Sequence, residues 1–566
     1  MFAEINKFFI SNINPTHTVF YRGGNKVSFG EYSNDVARMA NIFAHIDAKT
    51  VVLFIPTDIY LFHVAFMGLM QAGKDVILPA MLTEQNIDVL RAETDTIVTD
   101  QKMGFPGFTF VDIHQDFGNL WNFRDMDDRL IYFFTSGSTG TPKKIRKTFH
   151  NLAAEAAMHN KMQKDAFNMS PVMIASIAPY HMYGLLWRFL IPMSAGIIPI
   201  DTDMIFTPEE LQTAQHRFEK VLFVTTPSFL DGITKYQNQY EFLDNCIGIF
   251  SSGSLLNTQT SEKTYKIFGV SPFEVFGSTE TGGVAFRQQK DGPLWTVFND
   301  VNTTLNENSC IVADSEFCCV RPFQMSDIVE MQNDRQFLLK TRADRIVKIA
   351  EERISLPEYE QKLCSHEFVD NCYVTTVNQT GRVVIGCVLT LTDAGKDFII
   401  SHGRHEFITN IKNWLSAYFP NVALPRKIRI VNKIPMNTQG KILKSEITEI
   451  LRSAVAEPIA QNLTNTDTSL SANLMFLGDS AYFKGHFENC PILPGVIQLH
   501  FVIKFIQLFF HKNIKVYDII KLKFTNLILP DTLVHFELNK LNENEFSFCY
   551  ENGDVKYSAG KIVIKE

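Results

Sequence analysis

Between Tyr132 and Lys147 the chain reads YFFTSGSTGTPKKIRK, an apolar run that gives way to hydroxyls and glycines and then to lysines. That combination is what binding a polyphosphate requires. Gly137 and Gly140 permit a tight backbone and close approach. Thr135, Ser136, Ser138, Thr139 and Thr141 offer donors to phosphate oxygens, and Lys143 and Lys144 bring positive charge. The spacing departs from GxxxxGKS and GxxxxGKT, so the segment is not the ordinary nucleoside-triphosphatase loop.

Such a loop needs strands and helices behind it. Residues 1 to 341 alternate short apolar runs, such as Thr50–Ile55 and Val221–Thr225, with helical periods such as Ile59–Gly73, which predicts a layered α/β domain with parallel sheets. Residues 342–453 read as a small α+β lobe, with Arg382–Leu391 (RVVIGCVLTL) a strand and Gly403–Tyr418 helical. Residues 454–471 (AVAEPIAQNLTNTDTSLS) are polar and weakly periodic, the pattern of a linker. Residues 472–566 then form a further α+β unit, with an apolar helix over Val496–Phe510 and strands over Lys521–Leu529, Leu533–Leu541, Glu545–Glu551 and Val555–Ile564.

Composition narrows the class. At 566 residues the chain exceeds one core. The balance of 53 basic against 61 acidic residues, net −8, argues against a nucleic-acid surface. Nine scattered cysteines, with Cys318–Cys319 adjacent, fit neither zinc spacing nor a disulfide framework and point to reduced thiols and a cytoplasmic location. The N-terminal MFAEINKFFISNINPTH lacks the pattern of a signal peptide. The most hydrophobic stretch, Met173–Ile200, contains Pro179, His181, Arg188 and Pro192 and is expected to be buried core, not a membrane span.

The loop and four later motifs together resemble the adenylate-forming ligase superfamily of acyl-CoA synthetases, aryl-acid ligases and adenylation domains. Phe276–Glu280 (FGSTE) is similar to the family's aromatic-Gly-x-Thr-Glu element, which implies that Glu280 holds magnesium and Thr279 lies near the α-phosphate. The resemblance likewise implies that Asp327 binds the ribose hydroxyls, Arg342 reinforces that grip and Asp344 is the interdomain hinge. Lys441, in PMNTQGKILK, is implied to be the mobile lysine that meets the acyl carboxylate and phosphate. His181 in PYHMYG, Phe229 in TTPSF, Ser252 in SSGSL and Gly277 correspond to walls of the acyl pocket, and Trp187, Phe229 and Phe276 hint at a flat or aromatic acid. One departure stands out. Between Lys348 and Arg353 the family usually has a glycine where pantetheine slides past, whereas this chain has Ala350 and Glu351. Thr341, where the family commonly has glycine, is a smaller departure.

Tyr482–Val496 (YFKGHFENCPILPGV) resembles the active-site motif of hot-dog fold 3-hydroxyacyl carrier-protein dehydratases. His486 would remove the proton beside a thioester carbonyl, and the amides of Gly495 and Val496 at the helix start would polarise that carbonyl. The family's acid is a carboxylate in the central helix; here the matching residue is His500. Upstream, Leu477-Gly478-Asp479-Ser480 is similar to a phosphopantetheine site, but its glycine lies directly beside the aspartate and the segment runs into the dehydratase motif, so it is assigned to the hot-dog unit.

The resemblances imply a bifunctional enzyme. One part would use ATP and Mg2+ to activate a carboxylic acid and pass it to a pantetheine thiol, on CoA or a carrier protein. The other would dehydrate a 3-hydroxyacyl carrier-protein thioester in fatty-acid-like or aryl-polyene synthesis. An acyl carrier protein would be met in trans, with lysines 484, 504, 512, 515, 521 and 523 available to greet its acidic surface, and a homodimer would form through the hot-dog domain. The alternative is a ligase whose hot-dog domain only binds acyl chains, dimerises or hydrolyses thioesters.

Overall fold

A computed structural model describes residues 5–565 apart from 80–81, 83, 101–107, 116, 136–142, 196, 236–238, 350–351, 380–381, 437–441, 454–456, 479, 484–489 and 511–514. Two compact units are present: Met1–Ala343 with Met436–Lys441, and Asp344–Pro435 with Ile442–Glu566.

The first unit is a large α/β domain with mixed sheets. In its six-stranded sheet Thr109–Phe110, Thr96–Thr99, Thr50–Phe54, Asp75–Leu78 and Leu130–Thr135 run parallel. Lys143–Thr148 closes the edge antiparallel to Leu130–Thr135, with Thr135 opposite Lys143. The hydroxyl- and glycine-rich loop therefore joins the two strands of a hairpin. Helix Phe149–Met162 follows at once because Thr148 and Asn151 form a reciprocal cap at its start.

The thirteen-stranded sheet has a parallel core that includes Val221–Thr225, whose five residues are all buried, as a strand covered on both faces requires. Beyond Phe273–Ser278 it continues antiparallel through Gly282–Arg287, Trp295–Val297, Gln336–Arg342 and Phe323–Asn333. That antiparallel half differs from the all-parallel expectation. Helix Ile59–Gln71, capped by Asp58, is buried along nearly its whole length and shares one apolar cluster with residues of both sheets. The Met173–Ile200 stretch forms a strand and a buried helical segment. Arg188 is fully buried there and donates to the carbonyls of Ile177, Asp201, Thr202 and Asp203. Among the described residues no helix is long and apolar enough to cross a membrane.

The second unit begins with the hairpin Ile346–Ile349 and Glu352–Ser355; Ala350 and Glu351 lie outside the described residues. Helix Leu356–Cys364 and the three-stranded sheet Val369–Gln379, Arg382–Leu391 and Lys427–Ile430 complete the lobe's centre. The helical run Asp393–Ser416 is broken at Gly403, where φ is +83°, so a helix does start where the sequence places one.

An antiparallel six-stranded sheet forms the C-terminal part, in the order Ile459–Asn465, Ser469–Met475, Leu533–Asn542, Glu545–Asn552, Val555–Lys565, Lys515–Phe524, packed against helix Gly495–Phe509. This is consistent with a hot-dog fold. Two expectations are corrected. Within residues 454–471, expected to be a linker, Ile459–Asn465 is an edge strand and Ser469–Met475 its neighbour, and the first looks polar because only its start is buried; residues 454–456 lie outside the described residues. The strand expected over Lys521–Leu529 is Lys515–Phe524, interrupted by a bulge at Lys521, where φ is +55°, while Leu527 and Leu529 are exposed.

Ile459, Met475 and Leu477 are buried in one apolar cluster with Ile349, Leu363, Phe407 and Ile411 of the lobe. Gln461 Nε2 donates to Asp397 Oδ1 (3.0 Å), and Asn432 Nδ2 to the Pro458 carbonyl (3.1 Å).

Candidate active site

In the first unit the structure brings Lys143 and Glu280 together across 137 residues of sequence, with Nζ 2.8 Å from Oε1. Lys143 starts the hairpin's second strand, and Glu280 sits in the turn between Phe273–Ser278 and Gly282–Arg287. Burial works against the charge on Glu280, but the Lys143 ammonium outweighs it and holds the carboxyl below its ordinary range. The turn is tightly built. Gly277 is exposed, yet a Cβ there would fall 2.0 Å from the Gly282 carbonyl oxygen, so the crossing strands demand glycine. Ser278 and Thr281 bond each other's amides through their hydroxyls. Thr279 is half-buried between them.

Asp327 and Arg342 are opposite each other in the strand pair Phe323–Asn333 and Gln336–Arg342, with the guanidinium 3.4 Å from Oδ2 and Asp327 buried. Asp344 is the first residue of the second unit, in a single turn Ala343–Arg345. Ser136, Gly137, Ser138, Thr139 and Gly140 lie outside the described residues, as does Lys441; of Thr135 only the backbone, at the strand's end, is described.

The expected acyl-pocket residues are only partly gathered. His181 precedes the short helix Met182–Gly184, its ring 4.7 Å from that of Tyr180, and burial pushes its imidazole down to about 3. It is neutral at working pH. Ser252 donates to the Val275 carbonyl (2.8 Å) beside the Glu280 turn. The three aromatics do not form one wall among the described residues. Trp187 packs on Phe250 and His159, Phe276 on Trp295 and Phe337, and Phe229 on Phe223 in a separate cluster.

Sequence reasoning missed two buried charges in this region. Lys147 and Glu155 are 1% and 3% exposed. A signal existed: Lys147 alternates with Ile145 on the inward face of its strand, and Glu155 lies on the apolar face of its helix with Leu152, Ala156 and His159.

In the hot-dog part His486 lies outside the described residues. His500 is exposed on helix Gly495–Phe509, its ring edge-on to Phe501. The helix start has no side-chain cap, which leaves the first amides, those of Gly495 and Val496, without intrahelical acceptors. A Cβ at Gly495 would lie 2.4 Å from the Phe524 ring, so the helix begins hard against the edge strand. Gln498, also unforeseen, locks this first turn: Nε2 donates to the Leu493 carbonyl (3.1 Å), Oε1 accepts from Ser558 Oγ (2.6 Å), and Tyr550 donates to its carbonyl (3.0 Å). Ser480 is buried, which suits a structural turn and not an attachment point.

The paired cation and carboxylate, and the acid and arginine held in register, carry the charges and hydrogen-bonding groups that nucleotide binding calls for. Residues 121–323 match the AMP-binding enzyme family, and 358–441 match its C-terminal domain. The chain therefore contains the domains of an AMP-binding, adenylate-forming ligase. Residues 462–561 match the ApeI dehydratase family, so an ApeI-like dehydratase domain is fused at the C-terminus. Among similar proteins, a 4-coumarate–CoA ligase of Halorhodospira halophila is 24% identical over 55% of this chain and 74% of its own. A D-alanine–D-alanyl carrier protein ligase of Staphylococcus aureus is 23% identical over 57% and 72%. In fold, ATP-bound MatB of Rhodopseudomonas palustris aligns with TM-score 0.65 and 16% identity over 79% of this chain and 99% of its own. The O-succinylbenzoate coenzyme A synthetase of Bacillus subtilis with AMP aligns with TM-score 0.65 and 15% identity over 79% and 98%.

Among the described residues no cluster of three or more metal-ligating side chains is present. Glu280 by itself offers an ionised carboxylate, which fits magnesium, an ion usually held by one or two carboxylates with substrate phosphates completing its shell.

Proposed function

We propose that the chain is a bifunctional enzyme: an acid–thiol ligase and a 3-hydroxyacyl carrier-protein dehydratase. The observation that carries the first activity is the Lys143–Glu280 pair, because a carboxylate beside a half-exposed ammonium is what an incoming metal and phosphate can divide between them. Glu280 would hold magnesium, which when bound would lower the charge repulsion between the two anions. A carboxylate oxygen attacks the α-phosphorus, and the bond to pyrophosphate breaks. Lys143 turns to the departing phosphates, Thr279 bonds the α-phosphate, and Asp327 with Arg342 fixes the ribose. Lys441 neutralises the carboxylate as the mixed anhydride forms.

A pantetheine thiol, of CoA or of a carrier protein, then attacks the acyl carbon and AMP leaves. Asp344 serves as the hinge between the half-reactions; its position as the first residue of the second unit supports this. Neutral His181 lines the acid pocket with Phe229, Ser252 and Gly277. In the hot-dog domain His486 takes the α-proton, the Gly495 and Val496 amides bind the carbonyl oxygen, and His500 donates the proton with which the β-hydroxyl leaves as water.

His500 is exposed in one copy, and Lys515–Phe524 is a sheet edge bearing Tyr517 and Phe524 at the surface. Both features support a homodimer that closes the substrate tunnel. The same ligase relatives support an acyl carrier protein as partner, and a cytoplasmic place in fatty-acid-like or aryl-polyene synthesis follows from the pairing of activities. Pyrophosphate exchange against a panel of aromatic and aliphatic acids tests the ligase. Exchange with none of them refutes it.

A further inference from the structure

Lys143 cannot be what orients Glu280 during the proposed reaction, because it must release that carboxylate to reach phosphate, and its side chain is 58% exposed. The Ser278 and Thr281 hydroxyls hold the turn from within, and further support reaches it from outside. Two buried charges meet the backbone on either side of the carboxylate. From the hairpin strand, Lys147 Nζ donates to the carbonyl of Glu280 itself (3.0 Å) and to that of Phe317. The Glu280 carbonyl also accepts from the Cys319 amide (2.8 Å). From helix Phe149–Met162, Glu155 Oε1 accepts from the Gly283 amide (2.7 Å). Its Oε2 lies where a Cβ on Gly282 would approach to 2.4 Å, and Gly282 itself has φ +71°, so this turn has been shaped to admit the carboxylate.

Resting on the reading of Glu280 as the metal ligand, we propose that Lys147 and Glu155 are positioning residues that clamp the Ser278–Gly283 turn from beneath and so fix the direction of the Glu280 carboxylate whether or not Lys143 is bound to it. Burying an ammonium and a carboxylate is costly, and neither would be retained for packing alone, since a leucine or methionine fills such space without desolvation. Lys147 is compensated by the Glu280 and Phe317 carbonyls, and Glu155 through one oxygen by the Gly283 amide. Both charges act on Glu280 through main chain, Lys147 at its carbonyl and Glu155 at the Gly283 amide that closes the same turn.

The test uses the full-length protein with Lys147→Met, Glu155→Gln and Glu280→Gln variants. Three quantities are read: Mn2+ affinity in the presence of a non-hydrolysable ATP analogue, by electron paramagnetic resonance; amide hydrogen exchange of the peptide covering 278–283; and the thermal midpoint. Loss of an outer support of a metal ligand weakens metal affinity about tenfold to hundredfold, which is the drop expected for both Lys147→Met and Glu155→Gln. Faster exchange over 278–283 should accompany it. Glu155→Gln keeps shape and an acceptor oxygen, so it retains the test if Lys147→Met fails to fold. Wild-type metal affinity in a folded Lys147→Met or Glu155→Gln variant overturns the clamp. Wild-type affinity in Glu280→Gln instead overturns the reading of Glu280, and the two failures are thereby separated.

Discussion

Replacing Gln498 with leucine should uncouple the start of the hot-dog helix from its sheet. Gln498 and Ser558 are 3% and 1% exposed, so neither they nor the Leu493 carbonyl can turn to water when the amide is removed. The Tyr550 bond goes to backbone and survives. Two side-chain hydrogen bonds are lost, and a buried hydroxyl and a buried carbonyl are left unpaired. Each orphaned group costs about 1–3 kcal/mol, offset in part by the gain of apolar side chain, which gives about 2–4 kcal/mol of local destabilisation. Adding Ser558→Ala removes one orphan and should return about 1–2 kcal/mol. Hydrogen exchange of peptides spanning Glu545–Asn552 and Val555–Lys565 reads the stability, and dehydration of a 3-hydroxyacyl thioester reads the displacement of Gly495, Val496 and His500. Wild-type exchange and wild-type dehydration in Gln498→Leu would refute the account of this anchor. A double variant less stable than the single one would refute the bookkeeping of orphaned groups.

Lys441→Ala is expected to abolish acid-dependent pyrophosphate exchange and leave dehydration intact, and His486→Ala to do the reverse; equal loss of both activities in either variant would defeat the two-site scheme. Buried His181, with its proton affinity depressed to about 3, binds no proton in the native state where the unfolded chain does. Stability must therefore fall as pH drops from about 6.5 towards 3, and His181→Gln should flatten that acid limb in urea titrations. Met475→Ala should cost about 2–4 kcal/mol in the second unit and raise hydrogen exchange in helix Leu356–Cys364, although Met475 belongs to the hot-dog sheet.

Much of this was legible in the chain because the informative patterns are local. Val221–Thr225 is a buried apolar run, and the pairing of Asp327 with Arg342 follows from two adjacent strands. The motif carrying Lys143 and that carrying Glu280 are each visible in sequence, but their 2.8 Å contact arises from two different sheets. What escaped sequence reading was non-local. The polarity of Ile459–Asn465 describes an edge strand as well as it describes a linker, because only a neighbouring strand distinguishes them. Lys147 and Glu155 look like solvated charges until the turn they serve is folded over them. Trp187, Phe229 and Phe276 are aromatic for separate packing reasons, and no spacing rule could tell that.

The apolar seam that joins Met475 and Leu477 to Phe407 and Ile411 gives the ligase's C-terminal lobe and the dehydratase-like sheet a common core, so that cutting the chain between the two would expose an oily face on each.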